Sequence, residues 1–302
     1  RDGMAQIWAL PGGKPMGAPM EHRWPGWFAE FSPDGQQVLI ASYDTSGERP
    51  VGEAKVWDAA TSAPVMTLAQ AFVRRAFFSP DGRRILTMGA DKTARIWNAS
   101  TGQPATPVML HPADVRDGSF SADGQRVVTV CADAAGARVW NALTGEPITP
   151  ALAHENRVRH AKFSPDGKQV ITASDERVVR VWDAGTGQLA MLPIRHKRPV
   201  RDASFTVDGR FIMTRGEDQV IRLWDRSSGE LAMPEIKSSG PITRVLPCRD
   251  GRWMAFGGRD GGIRLWDLSG EQPALLLEDS VRLEGASYGG LDGRLIITRA
   301  GY

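Results

Sequence analysis

The sequence predicts an all-β protein built from one four-stranded antiparallel unit that is repeated seven times. Two short signals recur in phase along the 302 residues. The first is an Asp-Gly turn, often written FSPDG, whose aspartates are Asp34, Asp81, Asp123, Asp166, Asp208, Asp250 and Asp292. The second is an apolar–Trp pair, usually followed by Asp or Asn, at Trp8, Trp57, Trp97, Trp140, Trp182, Trp224 and Trp266. Each Trp precedes the next turn aspartate by 26 residues, with one spacing of 24, and the repeat is therefore about 42 residues long.

Each unit contains four short runs rich in β-branched residues, separated by Gly, Pro, Asp and Ser. In the fourth unit these runs are VRHAKFS (158–164), KQVITAS (168–174), VVRVWD (178–183) and LAMLPI (189–194). Such runs and breaks are typical of strands joined by tight turns. Because four short strands cannot bury both of their faces alone, neighbouring units must stack. All-β units of about 40–45 residues with a Trp-Asp pair indicate the blades of a β-propeller.

The two ends of the chain together supply one unit. When the end is joined to the start, Asp292 lies 18 residues before Trp8, against the usual 16 or 17. We therefore expect a closed seven-bladed β-propeller, a single domain over 1–302, whose last blade is completed by the N-terminal strands so that no sheet edge stays open. The predicted blades are 27–69, 72–110, 115–153, 158–194, 200–236 and 242–277, and a seventh made of 281–302 plus 1–20.

These motifs resemble the WD-repeat (WD40) family, and the resemblance covers essentially the whole chain. It implies a non-catalytic scaffold that recruits a protein or peptide partner within a larger assembly. The Ala-, Arg- and Thr-Gly-rich style of the units is also similar to prokaryotic WD-repeat arrays appended to kinases, proteases or NTPases. A regulatory or substrate-binding module of such an enzyme is therefore the alternative interpretation. Because residue 1 is Arg rather than Met, we expect the chain to be a fragment.

A set of His, hydroxyl, Asp and Trp residues also repeats from blade to blade. The third and fifth blades carry complete sets, His111, Thr129, Asp133 and Trp140, and His196, Thr214, Asp218 and Trp224. The first and fourth fit in part, with His22, Ser42 and Trp57, and with His154, Thr172 and Trp182. In the WD-repeat family such a set resembles a buried relay of mutually satisfied polar groups. We therefore expect a structural role rather than a catalytic triad.

Three blades depart from this pattern. The second has Ala69 where the His is expected, the fourth has Glu176 in place of the Asp, and the sixth has Phe256 in place of the hydroxyl. These departures predict weaker local stability in blades two and six.

The strongest functional signal lies in the first strand of each blade. Apolar residues there step by three, as from Val73 to Ala76, which breaks the two-residue alternation of a strand and predicts a β-bulge. The residue pairs inside that step are Arg74–Arg75, Arg116–Asp117, Arg159–His160, Arg201–Asp202, Thr243–Arg244 and Arg282–Leu283. Arg is the side chain best shaped to bind a carboxylate or phosphate through two hydrogen bonds.

These residue pairs form a rim at one end of the blades, where the second strand connects to the third and the fourth strand connects to the next blade. We predict that this rim binds an acidic or phosphorylated segment of a protein partner. Trp24 and Trp27 lie beside it in the sequence HRWPGWF and add aromatic contact surface. The competing interpretation is that these arginines are simply solvated or form ordinary surface ion pairs with Asp114, Asp117 or Asp202.

Composition argues against other classes. A formal charge of +2 is too small to attract nucleic acid in bulk, so nucleic acid is not an expected partner. Two cysteines, Cys131 and Cys248, favour a reducing, cytoplasmic location, and five dispersed histidines indicate no metal site or cofactor. No apolar run reaches the ~20 residues of a membrane span. We expect a monomeric domain.

An enzyme acting through the central channel is a rival interpretation, but it would need clustered carboxylates or histidines. GASYG (285–289) matches the nucleophile motif of α/β hydrolases. That motif requires a turn from a strand into a helix, so we predict that Ser287 is an ordinary strand residue.

Overall fold

The computed structural model of the chain describes the backbone of residues 4–9, 14–24, 26–44, 51–132, 136–237, 242–247, 253–258, 263–267, 275–277, 283–289 and 295–300. Side chains are described up to residue 237 within those ranges, apart from those of 9, 26, 27 and 51. This part of the chain is all-β, without a helix, and pairs into six four-stranded antiparallel sheets and two two-stranded ones.

The strands follow in chain order. A two-stranded sheet of β1 (Met4–Ala9) and β2 (Lys14–Glu21) comes first. Sheet one contains β3 (Gly26–Phe31), β4 (Gln37–Asp44), β5 (Val51–Asp58) and β6 (Pro64–Leu68). Sheet two contains β7 (Val73–Phe78), β8 (Arg84–Gly89), β9 (Thr93–Asn98) and β10 (Met109–Leu110). Sheet three contains β11 (Val115–Phe120), β12 (Arg126–Cys131), β13 (Gly136–Asn141) and β14 (Leu152–Ala153).

Sheet four contains β15 (Val158–Phe163), β16 (Gln169–Ser174), β17 (Val178–Asp183) and β18 (Ile194–Arg195). Sheet five contains β19 (Val200–Phe205), β20 (Phe211–Gly216), β21 (Val220–Asp225) and β22 (Ile236–Lys237). Sheet six contains β23 (Ile242–Pro247), β24 (Trp253–Gly258), β25 (Ile263–Asp267) and β26 (Leu275–Leu277). The second two-stranded sheet pairs β27 (Leu283–Gly289) with β28 (Leu295–Ala300), which makes Ser287 a strand residue, as predicted.

The fourth strands of sheets two to five are shorter than the sequence indicates. In sheet four the predicted run 189–194 is replaced by an isolated bridge from Trp182 to Leu189 and by the two-residue strand β18. Pro193 lies between the bridge and the strand, and proline has no backbone N–H to donate to a ladder. Proline also precedes β10, β14 and β22 at residues 107, 150 and 234.

Most of the buried hydrophobic clusters of the described residues lie between consecutive sheets. One buried cluster joins Leu39 and Val56 of sheet one to Val73 and Trp97 of sheet two. Equivalent clusters join sheets two and three, three and four, and four and five. Each sheet therefore depends on its neighbours for burial, which is the arrangement that stacked repeats require.

The recurring FSPDG sequence is explained by the turn between the first two strands. In sheet four the Ser164 hydroxyl donates to Asp166 Oδ1 at 2.5 Å and accepts the backbone N–H of Gln169 at 2.9 Å. Gly167 closes the turn with φ of +68°, a conformation that favours glycine. The same hydroxyl-to-aspartate bond occurs in sheets one, two, three and five. The motif is therefore a structural corner.

Candidate functional site

A β-bulge opens the first strand of every four-stranded sheet. In β7 the pairing passes from Val73 opposite Gly89 to Arg75 opposite Met88, which leaves Arg74 as the extra residue. The same shift occurs in β3, β11, β15, β19, β23 and β27. The bulge predicted from the three-residue apolar step is confirmed.

Arg occupies the extra position of the bulge in four consecutive sheets. We call these residues the bulge arginines: Arg74, Arg116, Arg159 and Arg201. The other three bulge positions hold Trp27, Thr243 and Glu284. The expectation that Arg244 and Arg282 share this position is therefore not met. Arg244 is the next residue and pairs with Gly257, and Arg282 lies outside the described residues.

Three of the bulge arginines are paired with carboxylates. Arg74 Nη2 lies 2.9 Å from Asp114 Oδ2, and its guanidinium carbon stands 4.8 Å from the centroid of the Tyr43 ring. Arg201 Nη2 lies 2.7 Å from Glu217 Oε1, and Arg159 Nε is paired with the Asp175 carboxylate. Sequence reasoning missed Asp175 and Glu217, although both directly follow a second strand.

Arg116 differs from the other three. No described carboxylate pairs with it, and its Nε, like that of Arg74, is buried without a hydrogen-bond partner among the described residues.

The residues that follow the bulge tie the first strands of neighbouring sheets together. Asp117 is buried, and its two oxygens contact Arg75 Nη1 at 2.8 Å and His160 Nδ1 at 2.9 Å. Asp202 Oδ1 lies 3.3 Å from Lys162 Nζ in the preceding sheet. These predicted rim residues therefore link sheets two to five.

Only part of the predicted aromatic surface is described. Trp24 is half-buried, and the Arg23 guanidinium carbon lies 5.1 Å from the centroid of its ring. Trp27 stands at the bulge of β3, where the next four sheets have Arg, but its side chain lies outside the described residues.

The buried polar set forms hydrogen-bonded relays in sheets three and four. In sheet three the Trp140 indole N–H donates to Thr129 Oγ1 at 2.8 Å, and Thr129 Oγ1 lies 2.8 Å from His111 Nε2. His111 Nδ1 lies 2.9 Å from the Met109 carbonyl oxygen, so this nitrogen carries the proton and Nε2 accepts from Thr129. Asp133 lies outside the described residues.

Sheet four repeats this arrangement with Glu in place of Asp. Trp182 Nε1 donates to Thr172 Oγ1 at 2.8 Å, and Thr172 Oγ1 lies 2.7 Å from His154 Nε2. Glu176 Oε1 lies 2.5 Å from His154 Nδ1 and also accepts from Arg180 Nη1 at 2.7 Å.

Two predicted sets are incomplete in the structure. In sheet five Trp224 donates to Thr214 at 2.8 Å, but Arg222 engages Asp218 at 2.8 Å and both His196 ring nitrogens lack partners among the described residues. In sheet one the ring of His22 lies 5.3 Å from that of Trp57, and the buried Ser42 hydroxyl has no hydrogen-bond partner in the described part.

The expected defect in the second blade is wrong, because Gln70 takes the place of the histidine. Thr87 Oγ1 donates to Gln70 Oε1 and accepts from Trp97 Nε1 at 2.7 Å, while Gln70 Nε2 donates to Asp91 Oδ1 at 3.2 Å. Leu68 and Met109 pair with equivalent third-strand residues, so Gln70 and His111 are equivalent. Gln70 precedes the first strand of sheet two by three residues, whereas His111 precedes the first strand of sheet three by four. Counting back four residues from sheet two therefore leads to Ala69 instead of Gln70. The Phe256 side chain lies outside the described residues.

Burial keeps the relay histidines neutral near pH 7. It lowers the pKa of His111, His154 and His196 to about 4 in each case. For Glu176, burial alone would raise the pKa, but the Arg180 hydrogen bond and the neighbouring His154 lower it to about 2. The relay histidines are therefore neutral, and the charge of Glu176 is balanced by Arg180. The threonine hydroxyls of the relays are completely buried.

The described residues contain no group of three or more His, Cys, Asp or Glu side chains placed to hold a metal ion. None of their elements is a long apolar helix that could cross a membrane.

Consecutive four-stranded antiparallel sheets with a Trp–hydroxyl relay define a class of repeat protein. The family model "WD domain, G-beta repeat" (WD40) matches residues 53–98, 145–183, 189–225 and 235–267, about half of the chain. The chain belongs to this WD40 family, and its sheets are the blades of a β-propeller fold. Membership indicates a protein–protein interaction scaffold.

Relatives of known name match only short segments. The "Nuclear distribution protein PAC1" of Arthroderma benhamiae and that of Trichophyton verrucosum are each 47% identical over 58 residues, 18% of this chain and 13% of the relative. The PAC1 of Arthroderma otae is 38% identical over 78 residues, 25% of this chain and 15% of the relative. The matched segments thus span a small fraction of these proteins.

A solved structure matches over nearly the whole chain. The crystal structure of the computationally designed Ika8 protein gives a TM-score of 0.80 at 20% identity, covering 99% of this chain and 88% of that chain. At this identity the similarity shows the fold alone.

Proposed function

We propose that this chain is a non-catalytic interaction module whose rim binds an acidic or phosphorylated segment of a partner protein. The observation that supports this most directly is the run of bulge arginines in four consecutive sheets. Bulges re-aim side chains, and connections on a rigid frame are where binding residues usually lie.

The ion pairs of the bulge arginines leave capacity for a ligand. A guanidinium has five N–H donors, and one carboxylate engages at most two of them. The pairs with Asp114, Asp175 and Glu217 therefore fix the side chains in place while leaving donors free. Fixed donors lose less conformational entropy when a ligand binds.

Closure into seven blades is part of this proposal, because only a closed ring gathers the rims around one opening. Trp8 of β1 is 58% exposed, whereas its counterparts Trp57, Trp97, Trp140 and Trp182 are at most 7% exposed. Met4 on the same strand is 53% exposed. Pairing of β28 with β1 would cover both and give the seventh blade its four strands.

Further features complete the proposal. The relay threonines are fully buried, so they offer no accessible nucleophile, which supports a non-catalytic role. Cys131 is a buried free thiol whose pKa is raised by burial, in keeping with a cytoplasmic location. We further propose that the domain acts as a monomer.

The test is a binding measurement with labelled peptides. We would measure fluorescence anisotropy with phosphorylated, Glu-rich, neutral and Lys-rich peptides against the parent and a variant with all four bulge arginines changed to Gln. The parent should bind the phosphorylated or Glu-rich peptides, and the variant should bind them at least tenfold more weakly. Arg83→Gln is the control, because Arg83 is exposed at the opposite end of the sheets. Equal affinity for all four peptides would refute the proposal.

A further inference from the structure

Among the described residues, no carboxylate pairs with the bulge arginine at the boundary between sheets three and four, whereas each of the other three bulge arginines has one. Two positions supply that carboxylate elsewhere. One directly follows the second strand of the same sheet and holds Asp175 in sheet four and Glu217 in sheet five. The other directly precedes the first strand of the next sheet and holds Asp114, the partner of Arg74.

Backbone hydrogen bonds show that these positions are equivalent from sheet to sheet. In sheets two to five the residue after the second strand donates its N–H to the carbonyl of the residue before the first strand. The observed bonds are Ala90 to Phe72 at 2.9 Å, Ala132 to Asp114 at 2.7 Å, Asp175 to Arg157 at 3.0 Å and Glu217 to Pro199 at 2.9 Å.

For Arg116 neither position is acidic. The position after its own second strand holds Ala132, and the position before the next sheet holds Arg157. Arg157 is exposed and forms no side-chain ion pair or hydrogen bond with the described residues, and Arg116 Nε is buried without a partner among them. Two arginines thus stand at the chain positions that hold Arg74 and Asp114 at the preceding boundary, where the guanidinium and the carboxylate lie 2.9 Å apart.

We propose that Arg116 and Arg157 form a site for one phosphorylated Ser or Thr side chain of the partner protein, an assignment that rests on the proposed function. A single carboxylate balances Arg74, but two guanidiniums need a ligand of charge near −2. A phosphate monoester carries about −1.5 to −2 at pH 7 and accepts several charged hydrogen bonds, whereas Glu brings only one charge. The ligand thereby supplies the anion that Asp114 supplies in the preceding boundary.

A protein segment fits this site better than nucleic acid does. Nucleic-acid affinity comes from many phosphates bound along a basic track. Here the neighbouring bulge arginines are already paired with Asp114 and Asp175, and the whole chain carries a formal charge of only +2. Among the four bulge arginines only Arg116 has no described carboxylate partner, which suits a single dianion rather than a run of phosphates.

The site can be observed directly by NMR of the arginine side chains. The Arg116 Nε–Hε signal of ¹⁵N-labelled protein would be assigned by its loss in Arg116→Lys. It should shift on addition of a peptide with one phosphothreonine, and much less with the same peptide carrying Thr or Glu. By anisotropy, Arg116→Gln and Arg157→Gln should each weaken phosphopeptide binding about tenfold or more, as expected for loss of a charged hydrogen bond.

The decisive variant is Arg157→Asp, which installs the carboxylate found at the preceding boundary. It should abolish phosphopeptide binding while the melting temperature stays equal to or above that of the parent, because Arg116 gains an internal partner. Arg83→Gln should bind like the parent. If Arg157→Asp binds as tightly as the parent while the fourfold bulge variant does not, this site is refuted and the proposed function stands. If the parent prefers neither the phosphorylated nor the Glu-rich peptide to the neutral one, both are refuted.

Discussion

Replacing His111 by Gln should make the protein less sensitive to acid. The pKa of His111 is lowered by burial from 6.5 to about 4 in the folded protein. As the pH falls below 6.5, His111 therefore becomes protonated in the unfolded chain but stays neutral in the folded protein. The free energy of unfolding decreases as a result until the pH approaches 4. At pH 4.5 this single residue should cost about 2.5 kcal/mol relative to pH 7.5, from 1.36 kcal/mol per pKa unit.

Gln is a fitting replacement, because the fold already uses it in sheet two. Gln70 accepts from Thr87 through its side-chain oxygen, as His111 Nε2 accepts from Thr129. An amide does not titrate between pH 4 and 8, so the variant keeps the acceptor and loses the proton-linked penalty.

Urea unfolding at pH 7.5 and pH 4.5 would measure the effect. The parent should lose about 2.5 kcal/mol more unfolding free energy between these pH values than His111→Gln does. His154→Gln is less suitable, because Glu176 and Arg180 are hydrogen-bonded in the same cluster. Equal losses in parent and variant would show that His111 is not kept neutral by burial.

Three further substitutions, one of them with a control, test the hydrogen bonds of the relays and of the turn. Thr129→Val removes the acceptor for Trp140 and the donor for His111. It should lower the unfolding free energy measured in urea by about 2–4 kcal/mol, and a loss below about 1 kcal/mol would contradict the relay. Ser164→Ala removes both turn hydrogen bonds and should cost about 1–2 kcal/mol by the same assay, an expectation that an unchanged midpoint would refute. Gln70→Ala should lower the unfolding free energy by about 2–3 kcal/mol. Ala69→Ser, at an exposed position, should change it by less than about 0.5 kcal/mol. A larger effect of Ala69→Ser than of Gln70→Ala would show that Ala69 is the relay position.

The strand pattern was predictable where local chemistry determines it. Asp-Gly turns, the Trp spacing and the Val-to-Ala step located the first three strands of each sheet and the bulges, because turn conformation and two-residue alternation are local properties. The fourth strands were less predictable. The run 189–194 is apolar, but the ladder is interrupted at Pro193 and only Ile194–Arg195 remains paired.

The site was predictable in kind but not in detail. An apolar step locates a bulge without showing which of two residues is the extra one, so the sequence alone does not separate Arg244 from the bulge arginines. Whether an arginine is paired depends on acids 16 to 40 residues away, such as Asp175 for Arg159 and Asp114 for Arg74. The equivalence of Arg157 to Asp114 is defined by backbone hydrogen bonds between strands, which the sequence does not show.

Closure of the ring by its two terminal strand pairs is tested most directly by a disulfide between β1 and β28. Sheet four pairs Ala173 with Val179, and the repeat places Arg299 and Ala5 at the equivalent positions. Ala5→Cys combined with Arg299→Cys should form an intramolecular disulfide whose yield does not depend on protein concentration. The mismatched pair Ala5→Cys with Ser287→Cys should not form one. If the first pair stays reduced, or links only separate molecules, the terminal strands do not share a blade and the rims do not surround a single opening.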